Sequence, residues 1–128
     1  MEAKNLADLW SAPDNTRLTA KQQSFRLPVH VAAKLSALSD MYPGKTKTQI
    51  VGDLLSVALD QMEEGLKYYA SAEFVEPDEE GRSWMLAEGP RVRYRNLANQ
   101  YYIKLERELG NEKPEVLFSE LLALKDEK

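Results

Sequence analysis

Residues 22–49 read QQSFRLPVHVAAKLSALSDMYPGKTKTQ, and the order of patterns within them decides the expected fold. From Gln22 to Leu27 the side chains alternate. Phe25 and Leu27 fall on one face of an extended segment, and Gln22, Ser24 and Arg26 fall on the other. Pro28 has no N–H to give to a ladder, so it ends the strand and suits the first turn of a helix. Val31, Leu35 and Leu38 then recur at helical spacing, which predicts an amphipathic helix from Val29 to Met41. Tyr42-Pro43-Gly44 stops it, because Pro43 cannot continue the helix and Gly44 eases the turn. Thr46-Lys47-Thr48-Gln49 has the form of a capping box, with a Thr at the cap and a Gln three residues on. The helix that follows carries Ile50, Val51, Leu54, Leu55, Ala58, Leu59 and Met62 and is expected to run to about Tyr69. Its apolar face is wider than the first helix can cover, and the short strand has no matching strand nearby. Both features call for a second chain.

Outward from this stretch the patterns weaken. Residues 1–20 show one short apolar turn (Leu6, Leu9, Trp10) broken by Pro13-Asp14-Asn15, and read as a flexible arm. Residues 71–90 combine Glu73, Glu76, Asp78, Glu79, Glu80 and Glu88 with Pro77, Gly81, Gly89 and Pro90. They read as an acidic linker, or as a small hairpin of Phe74-Val75 and Trp84-Met85-Leu86 across the Asp78–Gly81 turn. Beyond them, Val92, Leu97, Tyr101, Leu105 and Leu109 predict a helix over 91–109, closed by Gly110-Asn111. Pro114 is expected to open a last helix bearing Val116, Leu117, Leu121, Leu122 and Leu124. Residues 91–128 therefore read as a helical extension that leans on the dimer core or joins one dimer to another.

Composition bounds the function. The 128 residues hold 17 Lys+Arg, 21 Asp+Glu, one His and no Cys, for a net charge of −4. Disulfides and Cys-built zinc sites are excluded, no apolar run is long enough to span a bilayer, and the N-terminus lacks the apolar core of a signal peptide. A cytoplasmic protein is expected. The charge is segregated: residues 1–47 carry seven basic and four acidic groups, 48–90 two and ten, and 91–128 eight and seven. His30 is the only imidazole and has no nucleophile or carboxylate arranged around it, so no catalytic residue is expected. The Glu63-Glu64 and Asp78-Glu79-Glu80 runs lack the ligand spacing of a calcium loop. Gly44-Lys45-Thr46 matches the end of a phosphate-binding loop, but Ser39 stands where its first Gly belongs. No enzyme activity, metal or cofactor is expected.

The succession Gln22–Pro28, Val31/Leu35/Leu38, Gly44-Lys45-Thr46 and Ile50/Leu54/Ala58 resembles the ribbon-helix-helix family of DNA-binding proteins, to which the Arc and methionine repressors belong. The resemblance covers about residues 21–69. It implies a mainly α chain with one short strand, a dimeric ribbon-helix-helix domain over 21–70 followed by the helical extension. It also implies a sequence-specific transcriptional regulator, most simply a repressor, that inserts a two-stranded ribbon into the major groove of double-stranded DNA. Carried over by position, Gln22, Ser24 and Arg26 would touch base edges, where Arg26 suits guanine and Gln22 adenine. Lys45, Thr46, Lys47 and Thr48 would hold a phosphate at the second helix N-terminus. Phe25, Leu27, Val31, Leu35, Leu38, Ile50, Leu54 and Ala58 would form the dimer core. Gln23 departs from the pattern at a position often apolar in the family.

Arg91, Arg93 and Arg95, interleaved with Val92, Tyr94 and Leu97 and followed by Tyr101-Tyr102, are a second basic candidate for nucleic acid. Residues two apart do not share a helix face, so a solvated, partly packed helix is preferred there. Two other functions compete with the regulator. One is an antitoxin whose 71–128 segment wraps a partner protein. The other is a dimeric interaction adaptor that never meets DNA, which the acidic middle favours.

Overall fold

The computed structural model describes residues 17–125. The chain divides into two compact units, one ending at Met62 and the other beginning at Glu63. Most of the arm expected over residues 1–20 lies outside the described residues.

In the first unit an extended segment leads into helix α1 (Val29–Met41), a turn, and helix α2 (Lys47–Glu64), whose last two residues belong to the second unit. The carbonyl of Pro28 accepts from the N–H groups of Val31 and Ala32 at 3.1 and 3.0 Å, so Pro28 opens α1 without having to donate. The Lys45 N–H donates to the Tyr42 carbonyl at 3.0 Å and closes the turn. The capping box is formed in full. The Gln49 N–H donates to Thr46 Oγ1 at 3.1 Å, and the Thr46 N–H donates to Gln49 Oε1 at 2.8 Å. Among the described residues the core of this unit is small. Ile50, fully buried, and Val57 are packed by Leu35, Leu38, Tyr42 and Leu54.

The second unit contains β1 (Tyr69–Pro77), β2 (Ser83–Glu88), helix α3 (Pro90–Glu108) and β3 (Leu122–Leu124). The strands form one antiparallel sheet in the order β1-β2-β3. Met85 pairs with Ala123 and Trp84 with Leu124. Antiparallel partners share a face, so Met85, Ala87 and Ala123 make the buried side of the sheet. Trp84, Leu86, Leu122 and Leu124 make the half-buried side. Strand β1 is irregular twice, between Ala70 and Phe74 and again between Phe74 and Glu76, where it advances further than β2 does opposite. The hairpin turn is held by one side chain. Asp78 Oδ1 accepts from the N–H groups of Glu80 and Arg82 at 2.9 and 2.8 Å, while Oδ2 accepts from Arg82 Nε at 2.7 Å and Trp84 Nε1 at 3.1 Å. Gly89 joins β2 to α3 at φ +115°. A Cβ there would stand 3.1 Å from both the Lys67 carbonyl oxygen and the Tyr69 ring, so only glycine fits.

These observations correct the expected fold class. Among the described residues the chain has three helices and a three-stranded antiparallel sheet, a mixed α/β arrangement. It is not a mainly α ribbon-helix-helix protein with a helical tail. The Gln22–Leu27 segment is no strand in the described chain, because nothing in it supplies a ladder partner. The sheet lies instead in the second half, where the Asp78 turn brings two runs of aromatic and aliphatic residues together. Helix α2 ends at Glu64 rather than near Tyr69, which already starts β1. Of the two readings of residues 71–90, the hairpin is the one formed, with Phe74 opposite Met85, and the linker is not. No helix follows Pro114 among the described residues. Phe118 is instead bonded to Asn99 of α3, and Leu122–Leu124 is drawn into the sheet, so tertiary pairing overrides the local helical spacing.

Candidate nucleic-acid interface

The residues expected to read bases stand on the extended segment before α1. Gln22, Ser24 and Arg26 are all exposed, as are Phe25 and Leu27, so the expected polar and apolar sides are both open to solvent. Phe25 is 77% exposed, and together with Leu27, Val31, Leu35, Leu38, Val51, Leu54 and Leu55 it lines an apolar groove of about 480 Å³. Arg26, His30 and Lys34 complete the lining, which makes the groove cationic at its margin.

The expected dimer core therefore separates into two groups. Ile50 is buried within the unit, with Leu35, Leu38 and Leu54 packed against it. Phe25, Leu27, Val31 and Ala58 are exposed. The periodicity reading passes over Val57 and Tyr42, which belong to the core. The spacing Ile50, Leu54, Val57 is itself a helical row and is the signal that could have found Val57.

The phosphate group of residues also divides. Thr46, Lys47 and Thr48 are exposed at the start of α2, whereas Lys45 is buried at 9% exposure and is not presented to a ligand. The capping box uses the Thr46 hydroxyl and amide together with the Gln49 amide. The amides of Lys47 and Thr48 occupy the first turn, where no helical carbonyl can reach them, and they share the positive end of the helix dipole with the Lys47 ammonium. From residue 17 to residue 47 the chain carries six basic groups and one acidic group, although the whole sequence has a net charge of −4.

The second basic candidate is largely spent on structure. Arg91 Nε donates to the carbonyls of Glu63 and Leu66 at 3.0 and 3.1 Å, and its Nη2 donates to that of Glu64 at 2.7 Å. Its guanidinium also lies 4.9 Å from the Tyr68 ring centre. Arg95 Nη2 pairs with Glu63 Oε2 at 2.7 Å, and its guanidinium stacks 4.8 Å from the Phe118 ring centre. Of the three arginines, Arg93 alone is exposed.

Among the described residues no group of three His, Cys, Asp or Glu could hold a metal ion, and no helix is long and apolar enough to cross a membrane. Comparison with protein-family models, with curated proteins and with solved structures finds no match to this chain.

Proposed function

We propose that this protein is a DNA-binding transcriptional regulator, most simply a repressor, that works as a homodimer through its first unit. The observation that carries the reading is the open apolar groove beside an exposed, basic, extended segment. Phe25, Leu27, Val31 and Leu55 are large, uncovered and adjacent, and each is worth about 1.5–3 kcal/mol when fully buried. A second copy laid over the groove buries them and sets two basic segments beside one another, as a two-fold DNA site requires. Arg26, Gln22 and Ser24 then serve base edges, and Thr46, Lys47 and Thr48 serve a phosphate. The antitoxin reading loses support because residues 63–125 form a folded sheet and helix, where a wrapping tail is more often disordered alone.

The test divides reading from anchoring. With duplex DNA titrated at several salt concentrations, Lys47→Ala should weaken all sequences alike. It should also reduce the slope of log K against log salt by roughly 0.9 for each phosphate no longer neutralised, about twice that for a dimer. Arg26→Ala should cost about 1–3 kcal/mol for each bidentate base pairing it removes and relax sequence preference. A wild-type chain that binds no duplex DNA at low salt refutes the proposal.

A further inference from the structure

We propose that the second unit also self-associates, with the acidic strand β1 of one copy lying against the outward face of α3 in another. On α3, Arg93, Lys104 and Arg107 are all exposed. At 3.6 residues per turn they fall within about 60° of one another around the helix and span about 21 Å along it. Leu97 shares that face and Tyr101 borders it, Tyr101 being 63% exposed. On β1, Glu73 and Glu76 are exposed and Val75 between them is 41% exposed, whereas Phe74 pairs with Met85 and Glu76 with Trp84, so Phe74 lies on the other side of the sheet; Glu79 follows in the turn. None of these six charged side chains has an ion-pair partner among the described residues. One unit thus displays two surfaces of opposite sign, each with at least one uncovered apolar side chain beside the charge.

Charge and apolar exposure together distinguish an interface from an ordinary solvated face. The occupant follows from the complementarity: every copy carries both surfaces, so a two-fold pair satisfies each of them twice. Edge-to-edge pairing of β1 with its own copy is disfavoured. Antiparallel self-pairing brings glutamates together, and the two irregularities interrupt the ladder. Exposed ion pairs are individually weak, so the association depends on several of them acting with Leu97, Tyr101 and Val75, and it is sensitive to salt.

Sedimentation of four full-length chains tests the proposal: wild type, Arg93→Glu/Lys104→Glu, Glu73→Lys/Glu76→Lys, and the chain carrying all four reversals. Each double reversal should halve the mass of the largest assembly at low salt and weaken the step at least about tenfold. The fourfold reversal should recover it to within about threefold, which also shows that the reversed surfaces still fold. Where the first-unit groove also pairs copies, the step that is read is the joining of those dimers to one another, and duplex DNA binding is measured separately, so the outcome is distinct from that of the DNA reading. Unchanged mass in the double reversals, or no recovery in the fourfold chain, overturns the proposal. So does a helix-face reversal that loses duplex DNA binding while keeping its mass, because that face then belongs to nucleic acid.

Discussion

Asn99→Ala is the sharpest probe of the second unit. Asn99 lies in mid-helix, yet it treats Phe118 as a neighbouring strand would. Its Nδ2 donates to the Phe118 carbonyl at 2.9 Å, and its Oδ1 accepts from the Phe118 N–H at 2.8 Å. Truncation removes both bonds, each worth about 1 kcal/mol net, and leaves a half-buried N–H and C=O without partners. The Arg95 stack at 4.8 Å and the Tyr94 ring at 6.3 Å still hold Phe118, so the loop stays near α3 and water reaches the orphaned groups only in part. The expected cost is about 2–3 kcal/mol. That corresponds to roughly 30- to 150-fold faster opening-limited amide exchange at Phe118 and at the Ala87 and Lys125 amides that close the β2–β3 ladder. Asn99→Asp is the informative control, since it keeps an acceptor for the Phe118 N–H but sets a carboxylate against the carbonyl. If Asn99→Ala lowers stability in urea by less than about 0.5 kcal/mol and leaves exchange at Phe118 unchanged, the clamp is not what holds the loop 110–121.

Asp78 supplies a pH prediction. Partial desolvation acts to raise its pKa, but the hydrogen bonds from Arg82, Trp84 and Glu80 outweigh it and bring the value from 3.8 to about 2. A depressed carboxylate stabilises the fold above its unfolded pKa and loses that contribution as pH falls through the folded one, so the turn should loosen between pH 4 and about 2. A carboxyl titration by NMR with an ordinary midpoint near 3.8 would contradict this. In the first unit, Ile50→Ala should cost about 2–5 kcal/mol, because a fully buried side chain leaves a cavity in a core with few other buried residues. Amide exchange in α1 and α2 reads the loss, and a cost below about 1 kcal/mol would show that the helices draw their stability from elsewhere.

The first unit is legible because its signals are local. Pro28, the Tyr42-Pro43-Gly44 stop and the Thr46/Gln49 box each act within four residues, and the structure places α1 and the start of α2 where they indicate. The sheet is less legible. Strand β1 has two irregularities and no sustained alternation, and β3 is only three residues long, too short for any period to register. The hairpin is visible as an alternative because Asp78 and Gly81 are strong turn residues. Its third strand is hidden because Leu121, Leu122 and Leu124 suit a helix as well as a strand.

Helix α3 shows most directly why the remainder escapes a pattern argument. Periodicity assumes that apolar residues mark the inward side and so assigns Leu97 and Tyr101 to a packed stripe, yet both are exposed. The inward side instead carries Arg91, Arg95, Asn99 and Glu106. Arg91 satisfies carbonyls at the end of α2, Arg95 pairs with Glu63, Asn99 holds Phe118, and the buried Glu106 accepts from Asn111 Nδ2 at 3.2 Å. Three of those four partners lie 19 to 32 residues away in sequence. A polar residue faces inward only when a specific partner waits there, and no spacing rule within one helix encodes a partner on another element. The same inversion pushes Leu97 and Tyr101 outward beside Arg93 and Lys104. The polar anchoring that fixes α3 in its unit is therefore also what gives its outer face the mixed apolar and cationic character of a docking surface.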